Sequence, residues 1–248
     1  MEQIYTIPVN EAFDFCASEA DRRKNQPPVA DAPCLCPLCR LYNDLTEKEL
    51  ERILGAAMME PDVRIETNHR GFCLSHYEAM LKRKNRLGLA LMLESHLDVL
   101  KTELKDSALA STVKGAGGKP LSRMEELEND CYICNRVDLH FGHMIDTVLY
   151  LFTAEDAFRR KTERQPYYCL PHFRRLADNA KRKMNRKDYT AFYRTIEKTE
   201  LNYLHSLKED VSWFCCKFDY RYENEPWNNA KDAVERSILF LRGTEGQK

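Results

Sequence analysis

Apolar residues recur along most of this chain at steps of three and four. Leu93, Leu97, Leu100 and Leu104 fall on one helical face, and so do Phe141, Ile145, Val148 and Phe152. Tyr189, Phe192, Ile196, Tyr203, Leu207, Val211, Phe214 and Phe218 carry the same period as one long stripe, with a polar gap near Glu200. A further helix is expected over Leu38–Met58. Near the end, Asn229 is a candidate cap for a helix running to about Arg242, and Gly243 stands where a glycine stop belongs. Only Ile4–Ile7 hints at extended structure. The pattern predicts an all-α protein with a long C-terminal helix followed by a terminal helix.

Composition agrees. Gly and Pro together number 19 in 248 residues, below the usual ~12%, which disfavours turn-rich sandwiches and barrels. Lys plus Arg (38) nearly cancel Asp plus Glu (39), so no global field draws the chain to nucleic acid or membrane. The longest apolar run, Leu87–Leu93, is seven residues, far short of the ~20 a spanning helix needs. The first residues lack the basic-then-apolar layout of a signal peptide. The expectation is a cytoplasmic protein without membrane contact. There thiols stay reduced, so the ten cysteines point to metal or redox chemistry before disulfides.

Those cysteines are ordered. Cys36-Pro-Leu-Cys39 is followed, after 33 intervening residues, by Cys73-Leu-Ser-His76, and Cys131-Tyr-Ile-Cys134 is followed, after 34 intervening residues, by Cys169-Leu-Pro-His172. An aromatic precedes the third cysteine both times (Phe72, Tyr168) and another follows the histidine (Tyr77, Phe173). This is an internal repeat. Ser107–Pro120, small, polar and glycine-rich, reads as a linker. The expected organisation is a first helical zinc-binding repeat over 1–106, a linker over 107–120, and a second repeat with a helical extension over 121–248. Asp21–Pro33 reads as a further loop.

Three thiolates and one imidazole complete a tetrahedral zinc shell, and a two-residue spacer lets both donors of a pair reach one ion. The eight candidate ligands are Cys36, Cys39, Cys73, His76, Cys131, Cys134, Cys169 and His172. They predict two zinc ions per chain, each repeat holding its own. A helix from Leu38 to Met58 would span ~31 Å, and an extended return from Glu60 to Gly71 could cover ~40 Å. The second repeat would return partly through a short helix capped by Thr153. Each half-site opens a helix, whose N-terminal dipole offsets thiolate charge. Such closed sites are structural. An iron–sulfur cluster is the alternative cofactor, though one histidine and a long gap fit zinc better. A thioredoxin-like pair would need a βαβ background, and the spacing excludes covalent haem attachment.

Outside the tetrads, Cys34 is a bystander thiol or a substitute ligand, and Cys16, Cys215 and Cys216 are expected to pack in the core. His140 and His143, with Asp146, share a helix face that could take an open metal, but their apolar neighbours make them partly exposed bystanders. No phosphate loop, HExxH or nucleophile elbow occurs, so no catalytic machinery is assembled and a non-catalytic role is the expectation. Residues 159–187 carry a local charge of +9, with Tyr167, Tyr168 and Phe173 interleaved. That segment suits nucleic acid through Arg159, Arg160, Lys161, Arg174, Arg175, Lys181, Arg182 and Lys183. The competing expectation is a solvated face paired with the protein's own acids or with a protein partner. The aromatic and charged tail Phe218–Trp227 is expected to anchor a loop rather than to bind a ligand.

CPLC, GFCLSH, CYIC, YCLPH and the FDYR…EPW…KDA tail from Phe218 to Ala233 resemble an uncharacterised bacterial family of unknown function. The resemblance covers nearly the whole chain and implies no activity, substrate or catalytic residue. The segment between Cys16 and Cys34 looks longer than in that family, which speaks against Cys34 as a ligand. The reading is an intracellular zinc-binding protein, an interaction or adaptor module. A nucleic-acid-binding regulator and a thiol-based redox or metal sensor are the alternatives.

Overall fold

The structure is a computed structural model that describes residues 3–23, 34–110 and 118–244. Among the described residues it is helical throughout, with no strand. The α-helices are α1 (Thr6–Arg23), α2 (Pro37–Leu54), α3 (Pro61–Arg70), α4 (Leu74–Leu81), α5 (Arg86–Ala110) and α6 (Gly118–Asn129). They continue as α7 (Tyr132–Ala154), α8 (Asp156–Glu163), α9 (Leu170–Lys183), α10 (Arg186–Cys216) and α11 (Ala233–Arg242). Short 3-10 turns occupy Gln3–Tyr5, Ala56–Met59, Tyr220–Tyr222 and Asn228–Ala230.

Prolines and glycines set several boundaries. Pro37 and Pro61 open α2 and α3, where the missing N–H costs nothing. Gly71 (φ 62°, ψ −162°) and Gly243 (φ 72°, ψ −164°) end α3 and α11 in backbone territory that only glycine enters without strain. The Asn185 side chain accepts from Asp188 N at 3.0 Å and starts α10.

Two compact units result, and the boundary between them falls inside α2 and α7. One unit runs up to Asn43 and resumes at Phe141; the other is Asp44–His140. In the first, α1 packs on α8, and α10 packs on α8, α9 and α11. Its core joins Phe13 to Phe158 (ring centroids 4.9 Å apart), Phe152 to Phe192 (4.9 Å) and Tyr167 to Tyr203 (4.2 Å). In the second, α3 lies on α5, while α4 and α6 also pack on α5. The carboxylate of Glu49 there accepts from Arg52 and Arg136, each at 2.9 Å, and Arg52 also donates to Tyr132 Oη. Desolvation opposes the charge on Glu49, but the two guanidiniums outweigh it and hold its carboxyl below the usual range.

Several sequence expectations change. Ile4–Ile7 is helical, not extended. The 60–71 return is helical as α3, because Pro61 favours a helix start and Asp62 suits its first turn. Thr153 does not cap α8; its hydroxyl donates back to Leu149 O within α7, and Glu155 takes the cap position. Asn229 sits in a 3-10 turn, with Asp232 at the start of α11, whereas Gly243 is the stop that was expected. The α7 stripe Phe141, Ile145, Val148 and Phe152 is buried. On α5 the helix forms, but Leu97 and Leu104 are exposed, and Leu89 and Met92 occupy the buried face. Helices α5 and α6 extend into the expected linker from both sides, and residues 111–117 lie outside the described residues. Of the expected 21–33 loop, residues 21–23 finish α1 and the rest lies outside the described residues.

Candidate metal centres

All eight expected ligands gather into two tetrads, but not in the expected pairing. Cys36 and Cys39 meet Cys169 and His172, while Cys73 and His76 meet Cys131 and Cys134. Each CxxC of one repeat therefore joins the CxxH of the other. The first centre lies in the first unit and the second centre in the second.

Both tetrads are built the same way. Cys36 and Cys131 precede α2 and α7, and their carbonyls accept from Arg40 N (3.2 Å) and Asn135 N (3.0 Å). Cys73 and Cys169 stand at the N-caps of α4 and α9, and the histidines follow within the first turn. Two helix N-termini thus meet at each centre, where the positive ends of their dipoles stabilise thiolate. The dimensions fit a tetrahedral ion. With Zn–S of ~2.3 Å and Zn–N of ~2.0 Å, the edges of the tetrahedron are ~3.8 Å for S···S and ~3.5 Å for S···N. In the first centre Cys39 and Cys169 sulfurs are 3.4 Å apart, and His172 Nδ1 is 3.6, 3.4 and 3.1 Å from Cys36, Cys39 and Cys169. In the second, Cys73 and Cys134 are 3.8 Å apart, and His76 Nδ1 is 3.1, 3.3 and 3.5 Å from Cys73, Cys131 and Cys134. Every donor atom of a tetrad lies within 4.8 Å of the others. The residues present fit a bound metal ion.

Burial and mutual hydrogen bonding divide the thiols unequally. Hydrogen bonding with Cys169 pulls Cys39 down to about 7, while burial pushes Cys36 up. In the second centre the crowded thiols of Cys131 and Cys134 part, Cys131 held below the usual thiol range with His76 as a hydrogen-bond partner and Cys134 pushed up by burial and the neighbouring sulfurs. A divalent cation would replace this shared-proton arrangement by binding all three thiolates.

The first centre is also closed by backbone. A Cβ placed on Gly243 would lie 3.0 Å from Cys169 Sγ and 3.2 Å from Cys39 Sγ. Next to it, Thr244 Oγ1 accepts from Asn43 at 2.9 Å, fixing the residue after the glycine stop against α2. The sequence shows Gly243 only as a helix stop; its contact with the sulfurs is long-range and carries no local signal. Behind the same centre Tyr168 N donates to Glu200 Oε2 at 3.1 Å. Glu200 therefore explains the polar gap in the α10 stripe, and its burial pushes the carboxyl up to about 7. All four donors of the first centre are buried, whereas Cys73 of the second is half-buried.

The remaining candidates separate. Cys16 is buried, as expected for packing, but Cys215 is exposed and Cys216 half-buried, because the last turn of α10 outruns its core contacts. Among the described residues His140, His143 and Asp146 form no metal cluster. His143 stacks on Tyr5, and Asp146 accepts from Lys183. The basic segment spends much of its charge on the protein's own acids: Lys161 pairs with Asp14, Arg164 with Asp21, Arg159 with Asp156 and Lys183 with Asp146. Tyr167 and Tyr168 are buried and so cannot stack on bases. The tail is anchored, though not by its exposed Phe218 and Tyr220. Lys217 Nζ donates to the carbonyls of Tyr222, Glu223 and Glu225 at 2.6–2.8 Å, and Trp213 donates to Pro226 O.

No helix among the described residues is long and apolar enough to cross a membrane. No curated protein and no solved structure matches the chain. One family model does, across residues 1–248, and the chain belongs to that Family of unknown function (DUF6062).

Proposed function

We propose that this protein holds two structural zinc ions and acts as a non-catalytic interaction or adaptor module in the cytoplasm. The observation that carries the reading is that each centre supplies four protein donors at tetrahedral spacing, largely out of solvent. Four protein donors leave no position for substrate or water, which is the signature of a structural site. Thiolate-rich, imidazole-completed tetrads suit zinc among the available metals. On this reading the sequence repeats 1–106 and 121–248 exchange ligand pairs, so each ion ties segments far apart in the chain.

Elemental analysis of purified protein tests the proposal. About two zinc per chain is expected, and chelation should remove much of the helical circular dichroism, since metal binding contributes folding free energy in such sites. Iron with sulfide and visible charge-transfer absorption would overturn it. The exposed Cys215 supports a second reading, a thiol-based sensor at the end of α10.

A further inference from the structure

The two centres share their donor types but not their surroundings. In the first, Cys36, Cys39, Cys169 and His172 are completely buried. In the second, Cys131, Cys134 and His76 are buried, but Cys73 is half-buried. The flanking residues follow suit. Tyr168, just ahead of Cys169, is completely buried, whereas Phe72, just ahead of Cys73, is half-buried. Leu74, just after Cys73, is 73% exposed, against 46% for the matching Leu170. Solvent therefore approaches the second centre from one side, and Cys73 is the donor that meets it.

Packing explains the difference. Cys169 caps and His172 rides on α9, which has 14 residues and packs on both α10 and α11. Gly243, at the end of α11, brings backbone against the Cys169 and Cys39 sulfurs. Cys73 caps and His76 rides on α4, which has 8 residues, lies against α5 and buries His76 and Met80. The backbone ahead of Cys73 is fixed to the opposite half-site, since Gly71 O accepts from Tyr132 N at 3.0 Å. Opening of this centre thus starts at Cys73 and involves α4, a short element with few buried apolar side chains, and such elements open at low cost.

We propose that the second centre is exchangeable and opens at Cys73 to an incoming soluble thiol, while the first retains its ion until its unit unfolds. This rests on the reading of both tetrads as metal centres. In the exchange the thiol sulfur bonds to the metal as the Cys73 sulfur leaves it, and the proton of the thiol passes to Cys73. The step moves one proton and no electrons, so it needs no oxidant. Repetition at His76, Cys131 and Cys134 frees the ion. The metal content of the Asp44–His140 unit thereby follows the balance of zinc and thiol in solution.

The test uses full-length protein loaded with zinc, a chromophoric chelator in excess, and reduced glutathione as the thiol. One ion per chain should leave at least about 10-fold sooner than the other, a barrier difference of ~1.4 kcal/mol. Its rate should rise in proportion to glutathione, and the slow ion should not respond. Alkylation when half the zinc has gone, followed by peptide mapping, should mark Cys73, Cys131 and Cys134 and spare Cys36, Cys39 and Cys169. Two ions that leave at one rate would overturn the exchange and leave the metal reading standing. So would alkylation of Cys36, Cys39 and Cys169 in the half-depleted protein. A fast phase indifferent to glutathione would overturn the entry of a thiol at Cys73. Protein that takes up no zinc would overturn the metal reading, and the proposal with it.

Discussion

Gly243→Ala is the substitution that most directly tests how the first centre is sealed. Two costs arise at once. The residue sits at φ 72° and ψ −164°, a region essentially restricted to glycine, and placing a side chain there costs about 1–3 kcal/mol. The added methyl carbon would also press on Cys169 Sγ at 3.0 Å and Cys39 Sγ at 3.2 Å, closer than ordinary van der Waals contact. Metal–ligand distances tolerate only about ±0.2 Å, so relief by moving the sulfurs comes at the expense of the ion. Taking both together as about 2–4 kcal/mol, and tenfold per ~1.4 kcal/mol, the zinc affinity of the first centre should fall about 30- to 1,000-fold. Competition titration with a chromophoric chelator would show one ion released early and the other at its wild-type position. Gly142→Ala is the matched control, because it lies within α7 with nothing within 4 Å of the added carbon. It should leave both ions untouched and stabilise the fold by about 0.5–1 kcal/mol. Gly71→Ala separates the terms further, since it shares the backbone conformation but would meet Leu127 and His96 at ordinary distances of 3.5 and 3.7 Å. Two ions released at wild-type chelator concentrations from Gly243→Ala would refute the claim that this backbone presses on the centre.

Crossed pairing has its own signature in double variants: Cys36→Ser with Cys169→Ser should lose one zinc per chain, and Cys36→Ser with Cys73→Ser should lose both. Elemental analysis of the purified pairs decides, and the opposite pattern would restore pairing within each repeat. Glu200 has a carboxyl raised by burial to about 7, so the native state holds more protons than the unfolded chain between about 4.5 and 7. Its contribution is therefore most favourable at the acid end and is lost as pH rises through 7. Glu200→Gln keeps an acceptor for Tyr168 N, and denaturant midpoints should show it gaining on wild type from pH 5.5 to 8.5; a constant difference would remove burial as the cause. Thiol titration of zinc-loaded protein should label Cys215 first, while Cys16, with burial pushing its thiol up to about 12, should stay silent until unfolding. Mapping the modified peptides would expose any departure from that order.

Local periodicity made the helices legible wherever packing follows sequence neighbours. The α7 stripe from Phe141 to Phe152 is one face of one helix buried by one unit, so spacing alone suffices. The α5 leucines show the limit, because a helix's period does not say which of two apolar faces finds a partner: Leu89 and Met92 do, Leu97 and Leu104 do not. The members of the two tetrads were equally legible, since CxxC and CxxH must turn two donors to one side. Gly243 and Glu200 were not, because Gly243 meets Cys39 across more than two hundred residues and Glu200 reaches its centre through the backbone of Tyr168, and no short window contains both partners.

The crossed pairing has a physical reason that reach alone can supply. In the first repeat, closure on its own CxxC is geometrically open. Helix α2 has 18 residues, or ~27 Å at 1.5 Å per residue, and the turn, α3 and loop residues behind it could cover that distance. The second repeat decides. From Cys134 to Ala154 helix α7 runs ~30 Å, and α8, with 8 residues, could bring the chain back only ~12 Å. The six other residues before Cys169 would have to supply the rest, and fully extended they reach ~20 Å. They are not fully extended: Arg164 is in a helical conformation, and Gln165 N closes a turn onto Thr162 O at 3.4 Å. The second CxxH therefore falls short of its own CxxC and finds the first, and the remaining two half-sites are left for each other. Extending the α8–α9 connection by about ten flexible residues would remove this constraint. The double-variant zinc counts of such an insertion protein should then shift towards pairing within the repeats. Counts that stay crossed would mean that the packing of α9 on α10, and not chain reach, selects the partner.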